Sequence, residues 1–173
     1  MNKVLLLLLL LLIYCTNLYS QRFITKQAEI SFFSETPIED ISAKNNKVSA
    51  VYDSKSRQLV FQLNISDFIF PKPLMQEHFN ENYLESDKYP KASFSGIIDE
   101  LDKFSMAKGT LKIHGQYNEV EVKGSLVRSN DNVIIDANFT IQLKDYNIKI
   151  PKIVMYKIAE EIDISIKAKL KEM

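Results

Sequence analysis

The sequence has few of the residues that most enzymes use for chemistry. It contains one cysteine, Cys15, and two histidines, His78 and His114, among 173 residues. Basic and acidic residues are equal in number, so the formal net charge is zero. A nucleic-acid partner needs a basic face that neutralises phosphates, and this charge balance argues against one. The composition, 46% apolar and 25% charged, is typical of a globular domain.

The N-terminus has the pattern of a secretory signal peptide. The apolar run over residues 4–13 is about half as long as a membrane-spanning helix requires. We expect cleavage after Ser20, which leaves one domain, residues 21–173, without a transmembrane anchor. This domain is then exported, either to a periplasm or to the medium, and holds no cysteine. Lipid modification of Cys15 is the less favoured alternative, because Tyr14 before it is bulky.

The sequence lacks the common catalytic motifs. It has no Gly-x-Ser-x-Gly elbow, no glycine-rich phosphate loop, no His-x-x-x-His zinc pair and no calcium-loop spacing. Acid–base or nucleophilic catalysis needs a histidine beside a nucleophile, or paired carboxylates. We therefore expect no enzyme, no metal and no cofactor, and an enzyme that uses His78 is only a third alternative. His114 lies in KIHGQY at a predicted hairpin, where we expect it to be exposed.

Apolar and polar residues alternate through most of the chain. A period of two residues predicts strands with one dry and one wet face, which usually belong to antiparallel sheets. The predicted strands are residues 28–34, 47–52, 57–65, 91–98, 107–115, 118–127, 133–143 and 161–171. Short polar breaks predict turns at residues 45–46, 53–56, 100–103, 115–118 and 129–132.

This pattern predicts an all-β fold of about eight antiparallel strands, either a barrel or a sandwich. A barrel is favoured because the apolar faces are long and carry many large side chains. A barrel of this size either fills its interior with side chains or holds one small ligand. Periodicity alone does not distinguish between these two interiors.

One segment interrupts the alternation. Pro71 and Pro73 break the preceding strand, and Pro90 precedes the next one. Between them, residues at a spacing of four share one helical face, namely Met75, Phe79 and Tyr83. We predict one short helix near residues 74–84, which covers the barrel mouth or a gap between two strands.

Two segments, HFNENYLESDKYPKASFSG and KGTLKIHGQYNEVEVKGSL, are similar to the YceI-like family of exported, lipocalin-like proteins that bind polyisoprenoid lipids. The matching residues are His78, Phe79, Tyr89, Pro90 and Phe94 in the first segment, and Gly109, Leu111, Ile113 and Gly115 in the second. DYNIKIP, residues 145–151, resembles a segment near the C-terminus of many members. The resemblance covers most of residues 22–171 and implies a lipocalin-like barrel with a prenyl chain in an elongated apolar cavity.

The sequence departs from the family pattern at the positions of several polar residues. Met75 and Gln76 stand where many members carry an Arg-Asp pair, and Glu29 and Glu35 lie near the first strand, where members tend to have histidines. The fold inference is unaffected. The ligand inference weakens, because polar groups at the mouth of a pocket set its specificity. A different headgroup, or no lipid, stays open.

The first functional hypothesis is non-catalytic carriage or sequestration of a polyisoprenoid, an isoprenoid quinone or a similar long apolar lipid. The residues expected to line the cavity are Phe32, Phe61, Phe94, Leu111, Ile113, Val122, Phe139, Leu143 and Ile164. Met75, Phe79 and Tyr83 are expected to close one end, with His78 and Tyr83 in reach of a headgroup. Each of these residues also fits an ordinary core position, and His78 equally fits a hydrogen bond between the helix and a strand.

The second hypothesis is an envelope protein-interaction module whose barrel is packed and holds no ligand. A large internal cavity favours the first hypothesis, and a filled interior favours the second. The resemblance also leaves a homodimer open, although no sequence feature marks an interface.

Overall fold

Eight antiparallel strands close into one barrel in the computed structural model, which describes residues 21–35, 40–150 and 159–173. The strands are β1 (Arg22–Ser34), β2 (Ile41–Asp53), β3 (Gln58–Asn64), β4 (Lys91–Ile98), β5 (Ser105–Ile113), β6 (Gln116–Ser129), β7 (Asn132–Gln142) and β8 (Glu161–Glu172). Each strand pairs with the next one in sequence, and β8 pairs with β1 to close the barrel. The predicted fold class is therefore confirmed, and all eight predicted strands are present.

The alternation in the sequence becomes the inside and the outside of the barrel. In β7, Val133 and Ile135 point inward and are buried, whereas Ile134, Asp136 and Asn138 point outward and are exposed. Successive side chains of a strand face opposite sides, so one row of apolar residues reaches the interior from each strand. The buried residues form one continuous core inside the barrel.

The turn predicted at residues 45–46 is wrong, because β2 runs through it. Asn45 is fully buried inside the strand. Its side-chain amide donates to the carbonyl of Asn64 over 3.0 Å, and its Oδ1 accepts from the backbone N–H of Lys47 over 2.9 Å. The register between β1 and β2 shifts between Ala28 and Ile30, the mark of a β-bulge. β2 therefore continues through Asn45, whose side chain makes both of these hydrogen bonds beside the bulge.

The turn predicted at residues 115–118 lies two residues earlier. His114 and Gly115 connect β5 to β6 and have φ angles of +50° and +75°. Positive φ at both central residues is the geometry of the tight two-residue hairpin that matches strand twist. Ile113 pairs directly with Gln116 across this turn, so the strands leave no room for a longer loop.

The helix predicted near residues 74–84 is confirmed, although it changes type along its length. Helix α1 (Pro73–His78) begins with proline at its first turn, a position where the missing N–H is harmless. It continues as one π-helical turn, Phe79–Tyr83, in which the N–H of Leu84 donates to the carbonyl of Phe79 over 2.9 Å. We call the two together, residues 73–83, the helical segment.

The two ends of the barrel differ in how they are closed. The helical end carries the helical segment, the β5–β6 turn and a 3-10 turn, Leu143–Tyr146. The opposite end, here the turn end, carries the β2–β3, β4–β5 and β6–β7 connections. Four inward side chains at the turn end are at most 1% exposed, namely Phe23, Tyr52, Val133 and Leu170. The turn end is thus plugged by packed side chains.

Candidate functional site

An apolar cavity of about 440 Å³ occupies the barrel interior. All eight strands and the helical segment contribute to its wall. It reaches Ile98, Leu126 and Ile135 towards the turn end, and Phe70 and Ile148 at the helical end. A volume of this size lies within the range of small-molecule sites in proteins.

All thirteen residues proposed from the sequence line this cavity. They are Phe32, Phe61, Met75, His78, Phe79, Tyr83, Phe94, Leu111, Ile113, Val122, Phe139, Leu143 and Ile164. The barrel brings them together because inward residues of a closed sheet all face the same space. Ligand contact by each residue stays a prediction.

The cavity wall is free of ionic side chains over the part of the chain that the structure describes. Its polar members are serines, Gln62, Tyr83 and His78. Two of the serines are buried and hydrogen-bonded: Ser34 Oγ accepts from the N–H of Ala159 over 3.2 Å, and Ser105 Oγ donates to the carbonyl of Asp102 over 2.8 Å. A charged group deep in this cavity would lose its hydration without gaining a counter-ion, so the interior suits an apolar molecule.

Four phenylalanines form a cluster at the helical end. The ring of Phe79 lies 4.9 Å from that of Phe70, 5.5 Å from that of Phe32 and 5.6 Å from that of Phe68, measured between centroids. Such pairs each contribute about 0.5–1.5 kcal/mol beyond their area burial. Phe79 therefore fixes the helical segment across the barrel mouth.

The sequence analysis did not identify Phe68 and Phe70. They alternate with Ile69, which is 64% exposed and whose backbone exchanges hydrogen bonds with Lys44 over 2.8 and 3.2 Å. The Phe-Ile-Phe alternation is the signal that marks them as inward residues. It is only three residues long and lies before two prolines, where a strand is not expected.

The rim of the cavity at the helical end carries polar side chains. His78 is exposed and Tyr83 is half-buried. Burial raises the pKa of Tyr83, so its hydroxyl remains protonated at neutral pH and is available as a hydrogen-bond donor. Gln76, where the sequence departs from the family pattern, accepts from the N–H of Phe70 through Oε1 over 3.3 Å. That contact ties the helical segment to the segment before it.

The exposure predicted for His114 is wrong, because the side chain is buried. It is 7% exposed, and its Nδ1 lies 3.0 Å from the carbonyl oxygen of Tyr146. Its Nε2 lies 2.8 Å from Oε2 of Glu85, and its ring packs against the edge of Tyr89 with centroids 4.4 Å apart. The hairpin turn directs the side chain into the barrel end instead of into solvent.

The partners of His114 determine where its protons lie. A carbonyl oxygen only accepts, so Nδ1–H donates to Tyr146. Nε2 then faces the carboxyl of Glu85. These contacts, which we call the His114 junction, connect the chain after the helical segment, the β5–β6 turn and the 3-10 turn.

The described residues contain no group of three or more histidine, cysteine, aspartate or glutamate side chains placed to hold a metal ion. Within the same residues, no helix has the length and apolar character needed to cross a membrane.

Comparison with known proteins places the chain in a family. A model of the YceI-like domain matches residues 22–170. The chain belongs to the YceI-like family. The predicted resemblance is thus confirmed over almost the whole barrel. A comparison with curated proteins finds no match.

Solved structures share this fold at low sequence identity. A polyisoprenoid-binding domain from Saccharophagus degradans, implicated in plant cell wall breakdown, is 9% identical with a TM-score of 0.75 and covers 90% of this chain and 100% of its own. BcnA from Burkholderia cenocepacia is 16% identical with a TM-score of 0.72, over 83% of this chain and 95% of its own. The YceI protein of Campylobacter jejuni is 17% identical with a TM-score of 0.66, over 80% and 89%. At these identities the similarity establishes the fold.

Proposed function

We propose that this protein binds a long apolar lipid, such as a polyisoprenoid or an isoprenoid quinone, inside its barrel and carries or sequesters it without catalysis. The observation that carries the proposal is the 440 Å³ cavity, whose described wall is apolar and holds no ionic side chain. Membership of the YceI-like family and the shared fold of a polyisoprenoid-binding domain support it.

The free energy for binding comes from burial of apolar surface. Each 100 Å² of apolar area removed from water contributes about 2.5 kcal/mol before the costs of association. Aromatic and branched side chains provide this without directional bonds, which suits a chain that has no polar groups along its length. Polar side chains of the protein therefore need to bind the lipid only at its headgroup.

The difference between the two ends of the barrel determines the orientation of the bound lipid. The turn end is plugged, so the tail points towards it and the headgroup stays at the helical end. There, the protonated hydroxyl of Tyr83 and the imidazole of His78 are the side chains available to a polar headgroup. The helical segment acts as the cover over this opening.

The alternative, an interaction module with a packed barrel and no ligand, is disfavoured by the same cavity. A barrel that binds no ligand is expected to fill this volume with side chains, because protein interiors normally pack to the density of organic crystals.

Mass spectrometry of an organic extract tests the proposal. The protein is purified from its native envelope without detergent, and we expect a near-stoichiometric apolar lipid or quinone. A folded protein that is empty, and that also takes up no added isoprenoid, would move the assignment to the interaction module.

Phe139→Gln tests the site within the cavity. A polar amide on this inward position loses its hydrogen bonds to water when the lipid enters, so lipid retention should fall at least tenfold. Asn138→Gln is the matched control, because Asn138 is the outward neighbour on β7. Full retention in a folded Phe139→Gln protein would remove Phe139 from the site.

Export belongs to the proposal as well. The signal peptide, with cleavage after Ser20, and the alternative lipid attachment at Cys15 lie outside the described residues. The intact mass of protein from its native envelope distinguishes them: a chain that begins at Gln21 supports cleavage by a signal peptidase. A homodimer remains a prediction that light scattering of the same sample tests.

A further inference from the structure

We propose that the helical segment opens away from the barrel as one unit while the barrel stays folded, with Phe79 as its latch and Leu84 and Glu85 as its hinge. We propose further that this opening sets the rate at which a ligand enters the cavity. The second statement rests on the proposed function, whereas the motion is a property of the protein alone.

The hydrogen bonds of the helical segment are all local. Its backbone and side chains bond to one another and to four nearby residues, namely Phe70, Lys72, Leu84 and Ser86. Over the described residues, none of these bonds reaches a strand of the barrel. Side-chain packing is therefore what holds the helical segment against the barrel.

Phe79 has the ring contacts in this packing. Its ring lies 4.9–5.6 Å, between centroids, from those of Phe32 on β1 and of Phe68 and Phe70 before the helix. Leu74, on the outer side of the same helix, is 61% exposed and holds nothing in place. Opening has to separate one ring from three neighbours, which costs less than unfolding eight paired strands.

The C-terminal end of the helical segment has the backbone of a hinge. The α-helix changes there to a π-helical turn, a form that is rare and frequent at functional sites. Glu85, which follows Leu84, has a φ of +43°, a strained value for a residue with a Cβ atom. Residues at the end of an element are the ones that absorb backbone rotation in hinge motions.

A buried acceptor in the π-helical turn lowers the cost of opening. Nδ2 of Asn80 donates to the carbonyl of Gln76 over 3.0 Å, which fixes the orientation of the side-chain amide. Oδ1 of Asn80 is then buried, and no donor among the described residues lies within hydrogen-bond distance. Such an acceptor has lost its hydration without compensation, and it regains water when the segment opens.

The His114 junction anchors the hinge to the barrel. Nε2 of His114 lies 2.8 Å from Oε2 of Glu85, and the side chain of Leu84 is buried. The fixed point thus lies directly after the part that moves. The helical segment can rotate about it while the β5–β6 turn and the barrel keep their positions.

Amide hydrogen exchange measured by NMR tests the motion without any ligand. The probes are the N–H groups of Phe79 and Leu84, which bond within the helical segment, and those in the middle of β4. After correction for intrinsic rates, we expect the segment to exchange at least about a hundredfold faster than β4, and low urea to accelerate only β4. Equal rates with a common urea dependence would mean that the segment opens only when the barrel unfolds, and would overturn the proposal.

Val133→Ala separates local opening from global unfolding. Val133 belongs to the turn-end plug, which it forms with Phe23, Tyr52 and Leu170, and this plug stays packed when the helical segment opens. We expect exchange in β4 to accelerate at least about tenfold and exchange in the helical segment to stay the same. Equal acceleration at both places would contradict a local motion.

Phe79→Leu tests the latch and the entry of a ligand together. Leucine keeps an apolar side chain but removes the three ring contacts, so exchange in the helical segment should accelerate at least about fivefold. Uptake of diphenylhexatriene, an apolar fluorophore, should accelerate by the same factor, because both rates follow the population of the open form. Leu74→Ala, the control on the same helix, should change neither rate.

The uptake rate distinguishes a latch from a ligand contact. A variant that only loses a contact with the fluorophore releases it faster and takes it up at the parental rate. Faster exchange in Phe79→Leu without faster uptake would therefore overturn the link between opening and entry. A folded parent protein that takes up neither the fluorophore nor a lipid would overturn the proposed function, and the exchange rates would still decide whether the segment opens.

Discussion

Replacement of His114 by asparagine isolates the contribution of the His114 junction to stability. The backbone at His114 has φ of +50° and is followed by Gly115 at +75°. Asn-Gly is the preferred pair in this type of hairpin, so the variant keeps the turn. The asparagine side chain is too short to reach both Tyr146 and Glu85. Any loss of stability therefore reports the lost contacts.

The magnitude follows from the burial of the partners. Tyr146 is 2% exposed, and a buried carbonyl that loses its donor costs about 1–3 kcal/mol. The edge contact with Tyr89 contributes about 0.5–1.5 kcal/mol. The side chain of Glu85 is 44% exposed, so water replaces much of that interaction. We expect His114→Asn to lower the free energy of unfolding by about 2–4 kcal/mol.

Urea unfolding followed by circular dichroism measures this loss. Glu85→Gln is the matched control, because an amide retains a hydrogen bond with Nε2 and removes only the charge. It should cost less than about 1 kcal/mol. A loss below about 0.5 kcal/mol in His114→Asn, or an equal loss in the two variants, would contradict the assigned role of the buried Tyr146 contact.

Two further predictions concern a turn and a surface carboxylate. Gly115→Ala should destabilise the protein by about 1–3 kcal/mol in thermal unfolding. The reason is that φ at this position is +75° and that a Cβ atom would lie 2.7 Å from the Tyr89 ring. An unchanged melting temperature would mean that the turn relaxes to accept the Cβ atom. Hydrogen bonds from Asn64 and then Lys47 lower the pKa of Asp67 below its ordinary value of 3.8. The ionised carboxylate therefore stabilises the folded state above pH 3.8, and this contribution is lost as the pH falls through the lower pKa of the folded state. Asp67→Asn should therefore cost about 0.5 kcal/mol at neutral pH and nothing in strong acid, and an equal cost at both would refute the linkage.

The strands were predictable because their signal is local. In β7 and β8, inward and outward residues alternate, and polarity indicates the side of almost every residue, with Ile134 as an apolar residue that faces outward. Closure of the sheet then places every inward residue around one space. For this reason the candidate residues from separate strands lie in one cavity, although no sequence feature connects Phe61 with Phe139.

The errors at Asn45 and His114 share one physical cause, which is that polar residues were assigned to the surface. Asn45 is buried because Asn64, a residue of the neighbouring strand, accepts its amide hydrogen. His114 is buried because Glu85 and Tyr146 supply oxygens from segments about 30 residues away. Such partners are set by the closed fold, and no periodicity in the local sequence encodes them.

Small residues at inward positions contribute to the open space inside the barrel. Small inward residues line the cavity between the two packed ends, namely Ala92, Ala107, Gly124 and Ala137. Gly124 pairs with Ala137, and a Cβ atom at Gly124 would lie 2.8 Å from that of Ala137. Large side chains pack closely against one another in the turn-end plug and in the phenylalanine cluster around Phe79.

This division lets the protein remain folded with an apolar space at its centre. The closed sheet of eight strands satisfies the hydrogen bonds of the backbone, and the two packed ends bury apolar side chains. The stability of the fold therefore does not require the centre of the barrel to be filled. A lipid that enters removes further apolar surface from water and stabilises the folded state in proportion to its concentration and affinity. Because the plug and the cluster are packed without a ligand, the proposed lipid would enter a preformed cavity, and its binding would not have to offset the cost of folding the site.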